Sequence, residues 1–191
     1  VGENKIPNFS WTKQQTEKLA TTELTKRLEY KGGKTWTDKD GVVHEIKPTT
    51  AFGLVTGFED LEVLDIDLKV FSTAKEQKEF WEEFIGYLQD NILDFEDKFV
   101  IYKTKNAGYH IIYKTKRIEG NLKLAKLKGH KEAVIETRGR FGYIFAYPEN
   151  KVSKKDYFQV EYISDDDREI LFSFSRMYNY IEEVTIEPKK E

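Results

Sequence analysis

The chain has 191 residues, with 31 Lys and Arg against 34 Asp and Glu, a formal net charge of −3, 39% hydrophobic and 14% aromatic residues. That is enough for one domain with a sizeable core, and the slightly acidic balance argues against a protein coated all over in nucleic acid. With no cysteine, disulfides, thiolate catalysis and Cys-based zinc or iron–sulfur sites are excluded. No apolar run reaches the length of a membrane span, so no membrane partner is expected, and a reducing, cytoplasmic setting fits. The start at Val1 does not read as a signal peptide, and both ends are compatible with the edges of a longer protein.

Residues 1–10 read as an extended lead-in. Thr12 to Leu28 reads as a helix capped by Ser10 or Thr12, with Leu19, Leu24 and Leu28 as its apolar positions. Thr35 to Ile46 reads as a hairpin turning at Lys39-Asp40-Gly41, with His44 as a surface histidine. A short strand near Gly53 to Thr56 and a turn at Gly57 lead into an acidic strand, Leu61 to Asp67. Capped by Ser72 or Thr73, residues Ala74 to Gln89 form an amphipathic helix that buries Phe80, Phe84 and Leu88, with Trp81 and Ile85 beside them. Phe99–Tyr102 and Tyr109–Tyr113 are strands joined by the tight link Lys103–Gly108. Glu119 to Leu127 reads as a short helix or coil. Ala133–Thr137 and Gly142–Tyr147 are strands joined by Arg138–Phe141, and Tyr157–Ile163 is a further strand candidate. Ser164 caps a last helix whose first-turn Asp165, Asp166 and Asp167 suit the helix dipole better than a metal. Its buried face is expected to be Ile170, Leu171, Phe174, Met177, Tyr178 and Ile181. The expected fold class is α+β: one domain over 1–191, with an N-terminal helix and hairpin (1–50), an αβ core (51–163) and a C-terminal helix and tail (164–191).

The chemistry concentrates on three strands. Side chains alternate along a strand, so Asp65 and Asp67 share one face while Leu64 and Ile66 share the other. Two adjacent carboxylates repel unless a cation lies between them, and hard oxygen donors suit Mg²⁺ or Mn²⁺. A solvated strand end fits the same spacing. His110 shares a face with Ile112, and Gly108 leaves room for a ligand or a backbone to come close. Glu136 and Arg138 share a face opposite Ile135. If these faces converge, three carboxylates, an imidazole and a guanidinium meet. Nucleotidyl transfer needs such a set: carboxylates for two divalent ions, and groups such as His110, Lys105 and Arg138 for phosphates. Ten Lys and Arg fall between Lys98 and Lys131 with few acids among them, which suits either a solvated face or a phosphate backbone.

These residues carry a resemblance. Gly53-Leu-Val-Thr-Gly57 with Val63-Leu-Asp65-Ile-Asp67, then Thr104–Tyr113 around Gly108-Tyr-His110, then Val134-Ile-Glu136-Thr-Arg138-Gly to Pro148 follow one another as the motifs of the archaeo-eukaryotic primase superfamily do. The chain resembles the primase-polymerase catalytic domains of plasmids, phages and other mobile elements from about Ala51 to about Met177. The resemblance implies an RRM-like, antiparallel-rich catalytic sheet packed with helices, beside an N-terminal αβ unit. It implies that Asp65, Asp67 and Glu136 bind two Mg²⁺ or Mn²⁺ ions and that His110 contacts the nucleotide phosphates. It also implies DNA primase/polymerase activity on single-stranded template DNA, with a primer and with dNTPs or NTPs. A helical or helicase domain beyond residue 191 belongs to the same expectation. Glu136 stands where aspartate is usual, and Gly108 where a serine hydroxyl is common. No zinc is expected.

Two other readings remain. Asp67-Leu-Lys69 with Asp60 upstream matches half of a metal-dependent nuclease motif. An RRM-like sheet can also bind single strands without catalysis through aromatics such as Tyr102, Tyr109, Tyr113 and Tyr143.

Overall fold

The computed structural model describes residues 7–37 and 39–180. They form a mixed α+β structure with antiparallel sheets. Its centre is β4 (Leu61–Asp67), which pairs antiparallel with β6 (Gly108–Lys114) on one side and β8 (Ile135–Arg138) on the other. The edges are β5 (Val100–Thr104) and β7 (Lys123–Ala125), giving the order β5-β6-β4-β8-β7.

Both faces of this sheet carry a core, because one set of alternating side chains is largely apolar and the other is apolar in part. On one face Leu64, Ile66, Ile111 and Ile135 pack with Phe80, Phe84 and Leu88 of α2 (Ala74–Asn91) and Leu171, Phe172 and Phe174 of α4 (Asp165–Met177). On the other, Val63, Val100, Tyr102 and Ile112 pack with Ile144 of β9 (Tyr143–Phe145), which pairs with β3 (Gly53–Val55) as a separate two-stranded ribbon. The helices α2 and α4 both begin with reciprocal capping boxes, Thr73 with Glu76 and Ser164 with Asp167, which satisfy backbone N–H groups that the first turn leaves open.

A buried polar bridge keys α4 to the sheet. Arg168 donates to both carboxylate oxygens of Glu62 at 2.7 and 3.0 Å, and the Tyr113 hydroxyl donates to the same carboxylate at 2.9 Å. Glu62 is wholly buried, so both partners are needed to hold its charge there.

The hairpin of β1 (Lys34–Thr37) and β2 (Val43–Ile46) forms as expected, with Gly41 in the left-handed region at φ 81° and His44 stacked on Trp36 at 4.6 Å. Elsewhere the structure departs from the sequence expectation. The N-terminal helix is two pieces, a 3-10 turn at Thr12–Gln15 and α1 (Thr21–Leu28), and the residue preceding α1 is Ala20, not Ser10 or Thr12. Several β-branched threonines disfavour a continuous helix, and neither piece buries a residue. Leu19, Leu24 and Leu28 instead line a shallow groove with Phe9 and Phe52. A short α3 (Phe95–Lys98) precedes β5. Residues 119–127 supply the edge strand β7 where helix or coil was expected. The stretch from Tyr157 is a 3-10 turn capped by Asp156, with only an isolated bridge from Tyr162 to Lys114. On α4, Met177 is 73% exposed, and the buried set includes Arg168 and Phe172. Ile181 lies outside the described residues.

Candidate functional site

The sheet register assembles the polar set. On the ribbon side of the sheet one row of paired residues runs Tyr102, His110, Asp65, Glu136, Lys123 across all five strands. Asp65 thus has His110 and Glu136 as its two cross-strand neighbours, which is the closest placement that pairing allows. Asp67 lies one step along the same face, opposite Gly108. The carboxy end of β4 is pinned on both flanks: Asp67 N–H donates to the Val134 carbonyl and Leu68 N–H to the Ala107 carbonyl, each at 2.9 Å.

These residues open onto a cavity of about 380 Å³. Its charged side comprises Asp65, Asp67, Lys69, His110 and Arg138, with Asn106 and Asn121 alongside. Its other side is aromatic: Trp11, Phe141, Tyr143, Phe145 and Tyr147. The size is within the range of about 300–1,000 Å³ typical of small-ligand sites.

Charge within the site is compensated by the chain itself. Arg138 donates through Nε and Nη2 to one oxygen of Asp65, both at 3.2 Å, and also bonds Glu136. His110 Nε2 is 3.6 Å from the other Asp65 oxygen. Lys69 Nζ bridges Asp67 at 2.8 Å and Glu132 at 3.1 Å, while its backbone N–H donates to Asp67. The bond to Asp67 is the main reason the Lys69 ammonium is pushed up to about 12. Burial pushes the Glu136 carboxyl above its ordinary value, against the pull of Arg138 and with the Asp65 charge adding to the rise.

The expected site residues therefore divide. Asp65, Asp67, His110 and Arg138 meet at the cavity. Glu136 lies beside Asp65 but does not line the cavity; its carboxylate turns to Arg138. Lys105 is exposed in the β5–β6 turn and does not line the cavity either; its backbone hydrogen-bonds the Tyr147 hydroxyl. The space at Gly108 belongs to a backbone: a Cβ there would lie 2.4 Å from the Ile66 carbonyl oxygen. Of the aromatics considered, only Tyr143 faces the cavity; Tyr102 stacks on Tyr157, Tyr113 is buried on Glu62, and Tyr109 stacks on Trp81. Asp60, the acid of the nuclease motif, sits at the opposite end of β4, roughly 20 Å away by strand rise, where Lys116 and Tyr162 bind it.

Phe145, Tyr147 and Trp11 are parts of this site that no sequence motif singled out, and Lys69 entered only through the nuclease motif. The alternation Tyr143, Phe145, Tyr147 was a visible signal. Trp11 had none, since its approach depends on a contact with Tyr143 across the fold, at 5.3 Å between rings.

Asp65 and Asp67 offer hard oxygen donors on one face, which fits Mg²⁺ or Mn²⁺ in donor chemistry. Arg138 and Lys69 are the cations such an ion would displace, and among the described residues no group of three or more His, Asp or Glu side chains is gathered as a ligand set. No helix among the described residues is long and apolar enough to cross a membrane. No protein-family model and no curated protein matches the chain.

Proposed function

We propose that this chain is a primase-polymerase catalytic domain, which transfers nucleotidyl groups from dNTPs or NTPs in a reaction directed by a single-stranded DNA template. The observation that carries the reading is the register that sets Asp65 between His110 and Glu136 with Asp67 one step beyond, at the floor of a polar cavity. The three segments that meet there are the three that resemble the superfamily, and an antiparallel sheet backed by helices suits its RRM-like platform.

Asp65 and Asp67, with Glu136 after a turn away from Arg138, would hold Mg²⁺ or Mn²⁺. When bound, such ions activate a primer 3′-hydroxyl and offset charge on the triphosphate. The remaining roles fall to the chain. His110 is 5% exposed and fixed beside Asp65, so it is preorganised to donate to a phosphate oxygen without reorganisation. Arg138, released from Asp65 as a phosphate arrives, provides a planar, permanently charged fork for it. Lys105 on the turn outside adds charge along the approach. Gly108 keeps β6 tight against β4, which positions His110 two residues later.

The test incubates the chain with a single-stranded template, Mn²⁺ or Mg²⁺ and labelled nucleotides, with and without primer, beside an Asp65→Ala/Asp67→Ala variant. Incorporation by the parent and none by the variant is expected, and product without a primer would add priming. Equal incorporation by both would overturn the mechanism. Template degradation without triphosphates would indicate a nuclease, and binding alone would indicate a non-catalytic module.

A further inference from the structure

The cavity has two chemically distinct sides, one charged and one aromatic. On the aromatic side, Tyr143 and Phe145 are half-buried, while Ile144 between them and Ala146 after them are buried. The alternation sends Ile144 into the core and leaves the two aromatic rings at the cavity. Their ring centroids are 6.4 Å apart, and Tyr147 follows 6.5 Å beyond Phe145. Tyr147 in turn lies 5.9 Å from His110, so the aromatic row runs from the phosphate-facing imidazole outward. Trp11 packs edge-on against Tyr143 and helps hold its ring. At the rim Phe141 is 74% exposed, in a left-handed conformation at φ 62° that a bulky residue adopts only when its surroundings hold it. The loop is so held: Thr56 binds the Gly139 and Gly142 carbonyls at 2.6 and 3.0 Å, and Arg140 N–H binds the Glu119 carbonyl at 2.6 Å.

A row of flat rings beginning at an anion-binding group and leading out of a small cavity matches a ligand with a charged end and a flat aromatic end. Resting on the nucleotide reading above, we infer that Tyr143 and Phe145 form a stacking wall for the base of the bound nucleoside triphosphate. Recognition there is by ring face, so it tolerates all four bases; hydrogen-bond readout is left to the template.

The experiment is calorimetric titration of the full chain, in Mg²⁺, with dATP, dTTP, inorganic tripolyphosphate and an oligothymidylate. Stacking makes both nucleotides bind about tenfold or more tighter than tripolyphosphate. A Tyr143→Leu/Phe145→Leu variant, which keeps apolar bulk but loses the rings, should lose about that factor for nucleotides and none for tripolyphosphate. Tyr143→Phe, which keeps the ring, should retain parent affinity, and unchanged tripolyphosphate binding by the double variant guards against a folding defect. If parent and variant bind nucleotides equally, or nucleotides bind no better than tripolyphosphate, the stacking wall is wrong while the phosphate site stands. If the double variant loses affinity only for an oligothymidylate, the wall holds template and the inference fails. Parent protein that binds neither triphosphate nor tripolyphosphate would overturn the nucleotide reading itself.

Discussion

Asp65 sits among one imidazole, one guanidinium and a second carboxylate, and each of these reaches it from a different direction. His110 comes from β6, Arg138 from β8 one pair along, and Glu136 directly opposite. Because His110 meets the phosphates and not the template in this scheme, His110→Ala should raise the nucleotide KM several-fold more than it weakens template binding; the reverse pattern in steady-state kinetics and template titrations would move His110 to the template. Gly108 is a steric requirement of the same corner. A methyl group there would meet the Ile66 carbonyl at 2.4 Å and the Thr104 hydroxyl at 3.0 Å. Gly108→Ala should therefore cost about 1–3 kcal/mol by overpacking, read as a lowered urea midpoint; an unchanged midpoint would show that β6 can move away from β4.

At the scale of elements, β4 is the strand on which every layer depends. Its even positions feed the helical core, and its odd positions line the second core and the site. Glu62 is the exception on the core face, a buried charge that serves as the docking point for α4 through Arg168. Arg168 also reaches Glu119 at 3.2 Å, whose carbonyl supports the loop at Arg140, so α4 and the cavity rim share one support. Arg168→Leu leaves Glu62 buried with only Tyr113, and should destabilise by about 3–5 kcal/mol. Adding Glu62→Leu should recover much of that loss, because the stranded charge is then gone. Urea unfolding of the single and double variants checks both statements, and a double variant no more stable than the single would refute the account. The central strands and α2 could be located from periodicity because each carries its own apolar pattern. The short β7 could not, since Lys123–Ala125 becomes a strand only by pairing with β8. The N-terminal leucines had helical spacing but face a groove, and spacing alone does not say whether a partner surface exists.

Across the whole molecule, tyrosines are packed into and around both cores, and burial raises the phenols of Tyr102, Tyr109, Tyr113, Tyr147, Tyr157 and Tyr178 above their ordinary value near 10. Tyr157 is pushed up to about 12. A phenol whose folded pKa lies above its unfolded one favours the folded state fully below pH 10, and that contribution is lost as pH climbs through the folded value. Stability should thus fall steeply between about pH 10 and 12. Tyrosinate absorbance should rise in two phases, the exposed rings first and the buried ones only with unfolding, which circular dichroism followed in parallel will show. A single phase near pH 10 with no unfolding would contradict the burial of these rings.

The α+β class, the central strands, the capped helices α2 and α4, and the candidate residues Asp65, Asp67, His110, Glu136 and Arg138 are all legible along the chain. Each of these is a local property, written in alternation, helical spacing or residue type within a few positions. Which of them meet is set by how the strands pair. Register made Asp65 the neighbour of His110 and Glu136, brought Arg138 to Asp65 and left Lys105 outside the cavity. Tertiary packing brought Trp11 to Tyr143, chose Tyr143 alone among the candidate tyrosines for the cavity, and buried Glu62 against Arg168. These outcomes depend on contacts between residues far apart in the chain, whose energies no local pattern encodes.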